Sequence, residues 1–189
     1  MIFSSPIFIV FALPVVLAVY FLFGRKNIIL LTASILFYSW GEFHYTTLLI
    51  ISIVYNYIWG ILIARARDRT NSPILLYVGV AGNIFILGYF KYASFLINSM
   101  NPFISLMGFD PITPPSTHLP LGISFFTFQA ITYLFDTYRG HVVYQRNLIS
   151  LALYISFFPQ LIAGPIVRYS EIADALKHRI VRFNPQFNK

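Results

Sequence analysis

The chain has 189 residues, of which 58% are hydrophobic and only 10% charged, and its mean hydropathy is +0.72. Soluble domains carry about 25% charged residues, so the composition excludes an ordinary soluble domain and indicates an all-α, polytopic membrane protein in contact with the lipid bilayer. Cysteine is absent, which excludes disulfides and thiolate metal sites. The net charge of +7 comes from basic residues beside apolar runs, which favours a membrane surface over nucleic acid as the partner.

Six apolar runs follow one another along residues 1–169, which are predicted to form one membrane helical domain. The runs cover 7–23, 28–40, 46–64, 73–97, 119–138 and 148–163. The first five are expected to cross the membrane, and the sixth to be a re-entrant or kinked segment. Pro14 predicts a kink in the first run, and four prolines between residues 98 and 118 predict a loop without helix.

Residues 170–189 are predicted to form an amphipathic surface helix and a short end. Ser170 is a plausible N-cap, and Glu171 lies in the first turn, where an acidic residue suits the helix dipole. Apolar residues recur at helical spacing along one stripe, at Ile172, Leu176, Ile180 and Phe183. Basic residues towards the end of this stretch suit a surface of anionic lipid.

The distribution of basic residues predicts the orientation. Loops 24–27, 64–73 and 139–147 contain seven of them, whereas loops 40–45 and 98–118 contain none. The seven are Arg25, Lys26, Arg65, Arg67, Arg69, Arg139 and Arg146. Because cytoplasmic loops are enriched in Lys and Arg, a multi-pass protein of the cytoplasmic (inner) membrane is expected, with its N-terminus outside.

The charges and helix-breaking residues around 148–168 indicate the path of this segment in the membrane. If this segment crossed the membrane, the five basic residues of the tail would lie outside, against the pattern of the earlier loops. Pro159 and the pair Gly164-Pro165 interrupt a helix, and Gln160 offers donors and an acceptor for the freed backbone groups. We expect a segment that enters from the cytoplasm and returns there, with an ordinary kinked span as the alternative.

Five polar or charged residues in or beside the last two runs are candidates for lining a substrate tunnel: Gln129, Asp136, Arg139, Gln160 and Arg168. Hydrocarbon does not tolerate unpartnered polar groups, so they indicate either helix-to-helix contacts or an interior cavity. Asp136 and Arg139 have the spacing of a same-face ion pair, at a helix end or at a polar entrance. Gln129 and Gln160 are able to hydrogen-bond to each other or to a substrate.

Signatures of a catalytic or metal centre are absent from the sequence. There is no Gly-rich phosphate loop, no His-Glu-x-x-His and no Gly-x-Ser-x-Gly. The four histidines, His44, His118, His141 and His178, fall in predicted loops or in the tail. A solvated role is favoured there over catalysis. No catalytic or metal-binding residue is therefore assigned, and no bound cofactor is expected.

Five motifs follow one another along the chain: 3–5 (FSS) with Leu13-Pro14, 37–42 (FYSWGE), 121–129 (LGISFFTFQ), 136–140 (DTYRG) and 158–166 (FPQLIAGPI). In sequence and in order they resemble motifs of the membrane-bound O-acyltransferase (MBOAT) family, specifically of its bacterial alginate O-acetyltransferase branch. Each motif alone is weak, but together they are specific and extend over nearly the whole chain. The chain resembles the N-terminal part of such a protein.

The resemblance implies a multi-span protein that moves an acyl group, usually acetyl, from a cytoplasmic thioester donor to an extracytoplasmic polysaccharide. It also implies polysaccharide-acetylation proteins as partners. Members of the family are well over twice as long, and their key histidine lies in the later half, inside a tunnel. No histidine of this chain aligns with that residue, so the chain alone is expected to be inactive.

Two other classes of function remain open at the level of the sequence. A transporter or channel fragment would use Gln129, Asp136 and Gln160 to line a path, but such proteins commonly have paired halves, and no internal repeat is evident. A non-catalytic membrane remnant or scaffold would need none of these groups.

Overall fold

The computed structural model describes residues 8–23, 26–67, 72–115, 118–142, 144–164 and 167–177. All regular structure in these ranges is helical, so the prediction of an all-α fold is confirmed there. A short π-helix, Phe8–Ala12, precedes the first of the eight α-helices found in the described ranges. The helices are α1 (Leu13–Leu22), α2 (Lys26–Gly41), α3 (Phe43–Arg65), α4 (Ser72–Leu106), α5 (Ile123–Arg139), α6 (Leu148–Ser156), α7 (Phe158–Ala163) and α8 (Tyr169–Lys177).

Two helices of the described chain are long and apolar enough to cross a membrane. They are α3, with 23 residues, and α4, with 35. At about 1.5 Å per residue these helices measure about 35 and 52 Å, against a hydrocarbon core of about 30 Å. Helices α1 and α2 and the segment 148–161 are apolar but shorter. The described helices thus indicate a membrane protein, while five spans remain a prediction.

The prediction of an irregular loop from residue 98 onwards is wrong for its first part. Helix α4 continues through Pro102 and ends at Leu106. The loop folds back onto the helix, where Asn101 Nδ2 donates to the carbonyl of Ile112 (3.0 Å) and Asn101 Oδ1 accepts from the Ile112 N–H (2.9 Å). The carbonyl that loses its helical donor at Pro102 belongs to Asn98, which is an exposed residue.

The predicted kink at Pro14 stays a prediction. Pro14 lies in the first turn of α1, and the helical run changes from a π-helix to an α-helix directly before it. The irregular backbone comes just before it, in the π-helix.

Helix α5 lies at the centre of the fold, against both α3 and α4. Its apolar face is fully buried at Phe126, Tyr133 and Leu134. The helix begins later than the apolar run because Gly122 adopts a left-handed φ of 69°. It ends at Gly140, whose φ of 71° allows the His141 N–H to reach the carbonyl of Asp136 (3.1 Å).

The described basic loops lie at one end of the helix bundle. Arg67 Nη2 is 3.5 Å from the carbonyl oxygen of Arg139, and the Tyr57 hydroxyl donates to the carbonyl of Arg146 (2.9 Å). We call this the basic end. Arg25 and Arg69 lie outside the described residues. At the other end, His118 Nε2 is 3.0 and 3.1 Å from the two carboxylate oxygens of Glu42.

Candidate functional site: the returning segment and the buried face of helix α5

The stretch of chain from the first residue of α6 to the first residue of α8 begins and ends at the basic end of the bundle. The side chain of Asn27, at the start of α2, joins the two ends of the segment. Its Nδ2 is 3.5 Å from Ser150 Oγ, in the first turn of α6, and donates to the carbonyl of Leu176 in α8 (3.1 Å). The chain therefore enters the bundle through α6 and comes back before α8, which is the path that a re-entrant element would take.

The deepest part of this segment is α7. The Phe158 N–H donates to Ser34 Oγ (3.3 Å), halfway along α2. Leu161 packs against Gly122, at the far end of α5, so closely that a Cβ on the glycine would lie 3.0 Å from the leucine side chain. We call residues 148–168 the returning segment.

The helix of the returning segment breaks two residues before Pro159. Phe157 has an extended ψ of 109° and separates α6 from α7. Pro159 then occupies the first turn of α7, which suits its missing donor. Helix α7 ends at Gly164, as the sequence predicts, whereas Pro165 lies outside the described residues.

Tyr154 holds the two arms of the returning segment against α5. Its hydroxyl donates to the carbonyl of Val167, on the returning arm (2.9 Å), and lies 2.9 Å from Thr132 Oγ1 on α5. The carbonyl oxygen of Gln129 is 3.3 Å away. Because one buried hydroxyl connects three stretches of chain, Tyr154 fixes how far the returning arm lies from α5.

The side chain of Gln129 is buried without a hydrogen-bond partner. The residue is 1% exposed, and neither the amide nitrogen nor the amide oxygen has a partner in the described structure. An unpaired buried polar group costs about 1–3 kcal/mol, so each such group needs an explanation, such as a functional role or a bound water or ion. Gln160 is half-buried on α7, and the predicted hydrogen bond between the two glutamines is absent.

Asp136 does not pair with Arg139. Its Oδ2 accepts from the Ser170 N–H (3.0 Å), and its Oδ1 is 3.8 Å from Nδ1 of His141. The Arg139 guanidinium instead lies over the ring of Phe135, with 5.9 Å between the guanidinium carbon and the ring centroid. The carboxylate is buried and faces α8, whereas Arg139 is exposed, so the two side chains diverge in spite of their spacing.

The beginning of α8 also differs from the prediction. The helix starts at Tyr169, one residue before the proposed cap Ser170. The carboxylate of Asp136 provides the cap from another helix, and its negative charge suits the helix N-terminus. Glu171 lies in the first turn as predicted, and Ile172 and Leu176 pack on the bundle core. Arg168 is exposed just before the helix.

A tyrosine cluster beside the returning segment was not predicted from the sequence. The Tyr169 ring is 5.0 Å from that of Tyr133 and 5.1 Å from that of Tyr154. Gln145 Nε2 donates to the Tyr169 hydroxyl (2.7 Å). Burial raises the pKa of Tyr169 to about 12, although this hydrogen bond lowers it in part. The phenol is therefore neutral at physiological pH. The only signal in the sequence is tyrosine inside apolar runs.

The histidines are dispersed. His44, His118 and His141 are exposed, and His178 lies outside the described residues. Within the described ranges, no group of three or more His, Cys, Asp or Glu side chains is close enough to hold a metal ion. The site thus consists of amide, hydroxyl and carboxylate groups along α5 and the returning segment.

These features define a helical protein with two long apolar helices and a polar strip buried beside a returning segment.

The chain is similar to two probable alginate O-acetylases named AlgI, one from Pseudomonas syringae pv. tomato and one from Pseudomonas aeruginosa. It is 41% identical to each over 182 residues, which is 95% of this chain and 35% of each relative. It is 33% identical over 210 residues to a peptidoglycan O-acetyltransferase of Helicobacter pylori, matching 95% of this chain and 39% of that protein.

These relatives confirm the similarity to O-acetyltransferases that was predicted from the sequence motifs. The chain spans little more than a third of the length of the curated proteins it matches. No protein-family model matches it, and neither does any solved structure.

Proposed function

We propose that this chain is part of a membrane O-acetyltransferase that transfers acetyl groups from a cytoplasmic acyl thioester to an extracytoplasmic polysaccharide such as alginate. The similarity to two alginate O-acetylases over 95% of the chain carries the proposal. The peptidoglycan O-acetyltransferase that is also similar to this chain supports acetyl transfer as the chemistry that these relatives share, although their acceptor polymers differ. Extracytoplasmic proteins of polysaccharide acetylation are the expected partners.

The basic end is the proposed cytoplasmic face of the inner membrane. Arginines gather there from the loops after α3 and α5, and Arg168 is exposed next to α8. A cluster of positive charge raises the local concentration of an anionic donor. The N-terminus of the chain and the loop after α4 then face outside. The returning segment, which enters and leaves at the basic end, is the proposed re-entrant element on the donor side.

Gln129 is the proposed ligand-binding group of the tunnel. Its amide offers both a donor and an acceptor in a buried environment, where a hydrogen bond to a ligand is not weakened by competing water. Gln160 on α7 is proposed to line the same path from the other side. Arg139 and Arg168 are proposed to attract the donor at the entrance, and Asp136 to hold α8 beside it.

A chimera tests this function. The matching segment of the Pseudomonas aeruginosa relative is replaced by the corresponding residues of this chain, and O-acetyl groups on alginate are measured in a strain that lacks its own enzyme. We expect acetylation to be restored. A chimera that reaches the membrane at the normal level but acetylates no alginate, beside an active unmodified relative, would contradict the proposal.

The same chimera tests Gln129. Without a ligand, Gln129→Leu removes two unpaired buried atoms and should be neutral or stabilising, since replacing an unsatisfied polar group by an apolar one of similar size removes its desolvation cost. If Gln129 binds the donor, Gln129→Leu lowers acetylation while membrane level and thermal stability are kept. Ser105→Ala, at an exposed position of α4, is the matched control. Full acetylation by the Gln129→Leu chimera would show that Gln129 does not bind the donor.

A further inference from the structure

Helix α4 extends well past its neighbour α3 at the end opposite the basic end. The two helices are antiparallel, and the Tyr45 ring near the start of α3 is 5.6 Å from the Phe90 ring of α4. Residues 94–106 of α4 therefore lie beyond α3 and add about 20 Å of helix at about 1.5 Å per residue. Glu42 and His118, whose ionisable side chains avoid hydrocarbon, mark the edge of the bundle near this level. We call residues 94–106 the projecting arm.

The loop after the projecting arm packs along one side of it. Ser94 Oγ donates to the carbonyl of Pro115 (3.1 Å), and Asn101 exchanges two hydrogen bonds with the backbone of Ile112. Ser94 and Asn101 are seven residues apart, so both lie on the same side of the helix. The arm is thus held in one conformation by its own loop, and it loses little conformational freedom when a partner binds.

Another side of the arm carries apolar residues at heptad spacing, and we call it the heptad seam. Its members follow one another at intervals of four and three residues: Tyr89, Ala93, Leu96, Met100, Phe103 and Met107. This spacing is that of the a and d positions of a coiled coil, which pack against a second helix. The exposed fraction rises along the seam, from 45% at Tyr89 to 57% at Met100 and 77% at Met107. The Met107 N–H still bonds to the carbonyl of Phe103 (3.1 Å), so the helical spacing holds to the end of the seam.

We infer that two copies of this chain pair in parallel through the heptad seams of their projecting arms. Two copies that are inserted into a membrane in the same orientation hold their α4 helices parallel, as a two-stranded parallel coiled coil requires. A two-fold contact places each seam residue opposite the same residue of the second copy, so any charge beside the seam would meet a like charge. Residues 92–109 contain no Lys, Arg, Asp or Glu, and the pairing therefore meets no such repulsion.

A lipid surface suits the arm less well than a second copy does. Helices that lie on a membrane surface usually carry Lys or Arg on their polar face, and the arm has neither. A standard protein interface buries about 800 Å² on each partner. Phe95, Leu106 and Phe109 are largely exposed beside the seam and bring the exposed apolar area of the arm to that order. The inference is independent of the acetyl-transfer function.

Disulfide cross-linking in the membrane provides the test, because the chain has no cysteine of its own. Met100→Cys and Phe103→Cys are introduced singly into the full 189-residue chain, and the membranes are oxidised before non-reducing electrophoresis. A disulfide needs two Cα atoms within about 7 Å, which a parallel pair supplies along the seam, so both variants should form a covalent dimer. Ser105→Cys is the matched control. Ser105 is exposed on the same helix but on the side opposite the seam, and its variant should give at least about tenfold less dimer.

A charge in the seam tests the same contact without cysteine. Phe103→Asp places two carboxylates opposite each other and should shift the purified chain from dimer to monomer in native mass spectrometry, whereas Ser105→Asp should not. Because both residues are exposed, both variants should melt at the wild-type temperature. Cross-linking of Ser105→Cys as efficient as that of Phe103→Cys would show random collisions and overturn the inference. The absence of a cross-link from both Met100→Cys and Phe103→Cys would assign the seam to lipid or to another protein, and a Phe103→Asp chain that stays dimeric would place the contact elsewhere; either result would also overturn it.

Discussion

Asn56 and Asn83 exchange two hydrogen bonds between helices α3 and α4. Each Nδ2 donates to the Oδ1 of the other residue, at 3.0 and 2.9 Å. Each amide also donates to a carbonyl one turn earlier in its own helix, that of Ser52 or Gly79. Both residues are fully buried, so the pair is a satisfied polar contact inside an apolar interface, of the kind that joins helices in membranes.

Asn83→Ala should destabilise the protein by about 1–2 kcal/mol, because it leaves the Asn56 amide buried with half of its partners. The free energy of unfolding is measured by denaturant titration in detergent micelles. Replacing both residues by Leu should cost less than the sum of the two single Leu replacements. Additive losses would show that the two side chains act independently.

Gly60→Ala should destabilise the interface of α3 and α5, and Gly88→Ala should not. A Cβ at Gly60 would overlap the ring of Tyr133, which is fully buried and cannot move aside, whereas a Cβ at Gly88 meets no atom within 4 Å. We expect a loss of about 1–3 kcal/mol for the first change, as for other overpacked cores. The second should be neutral or gain up to about 1 kcal/mol from helix propensity. Thermal melting in detergent compares the two variants.

Tyr154→Phe should loosen the returning segment without unfolding the bundle. The change removes the hydrogen bond to the Val167 carbonyl and leaves that carbonyl unpaired, at a cost of about 1 kcal/mol. Hydrogen exchange followed by mass spectrometry should show faster exchange confined to peptides around residues 164–170. Tyr77→Phe, at a tyrosine that is 70% exposed, is the control. Faster exchange throughout α5 would show instead that Tyr154 supports the whole core.

Asp136→Ala should release α8. The variant removes the acceptor of the Ser170 N–H and the negative charge at the start of the helix, contributions of about 1 kcal/mol each. Limited proteolysis should cut within residues 169–177 more rapidly, and Asp136→Asn should be intermediate because it keeps an oxygen but not the charge. Asp110→Asn, in an exposed loop, should behave like wild type. Unchanged cleavage of Asp136→Ala would mean that apolar packing alone holds α8.

Single cysteines test the orientation, since the chain has none of its own. We expect Ser105→Cys to react with an impermeant thiol reagent in intact cells, because the exposed end of α4 and the loop after it are predicted to face outside. Asn71→Cys, among the arginines after α3, should react only after the membrane is opened. Labelling of Asn71→Cys from outside would reverse the predicted topology.

Local signals in the sequence located most of the helices and the basic end, but contacts between distant residues decided the rest. Four prolines argued for a loop after residue 97, yet α4 reaches Leu106, and Asn101 near its end binds Ile112 of the following loop. The spacing of Asp136 and Arg139 predicted an ion pair, yet the carboxylate has its partner 34 residues away, at Ser170. Periodicity and spacing report neighbours along one helix, and they carry no information about which helix packs opposite.

Asn27 joins the first turn of α6 to the end of α8. Because one side chain contacts both Ser150 and Leu176, the chain that leaves the basic end through α6 is held to the same end after it returns. The charged residues Arg168 and Glu171 follow the returning segment's apolar part, and residues 148–167 contain no Lys, Arg, Asp or Glu. No charge of this stretch therefore has to lie in the apolar interior, where it would be costly.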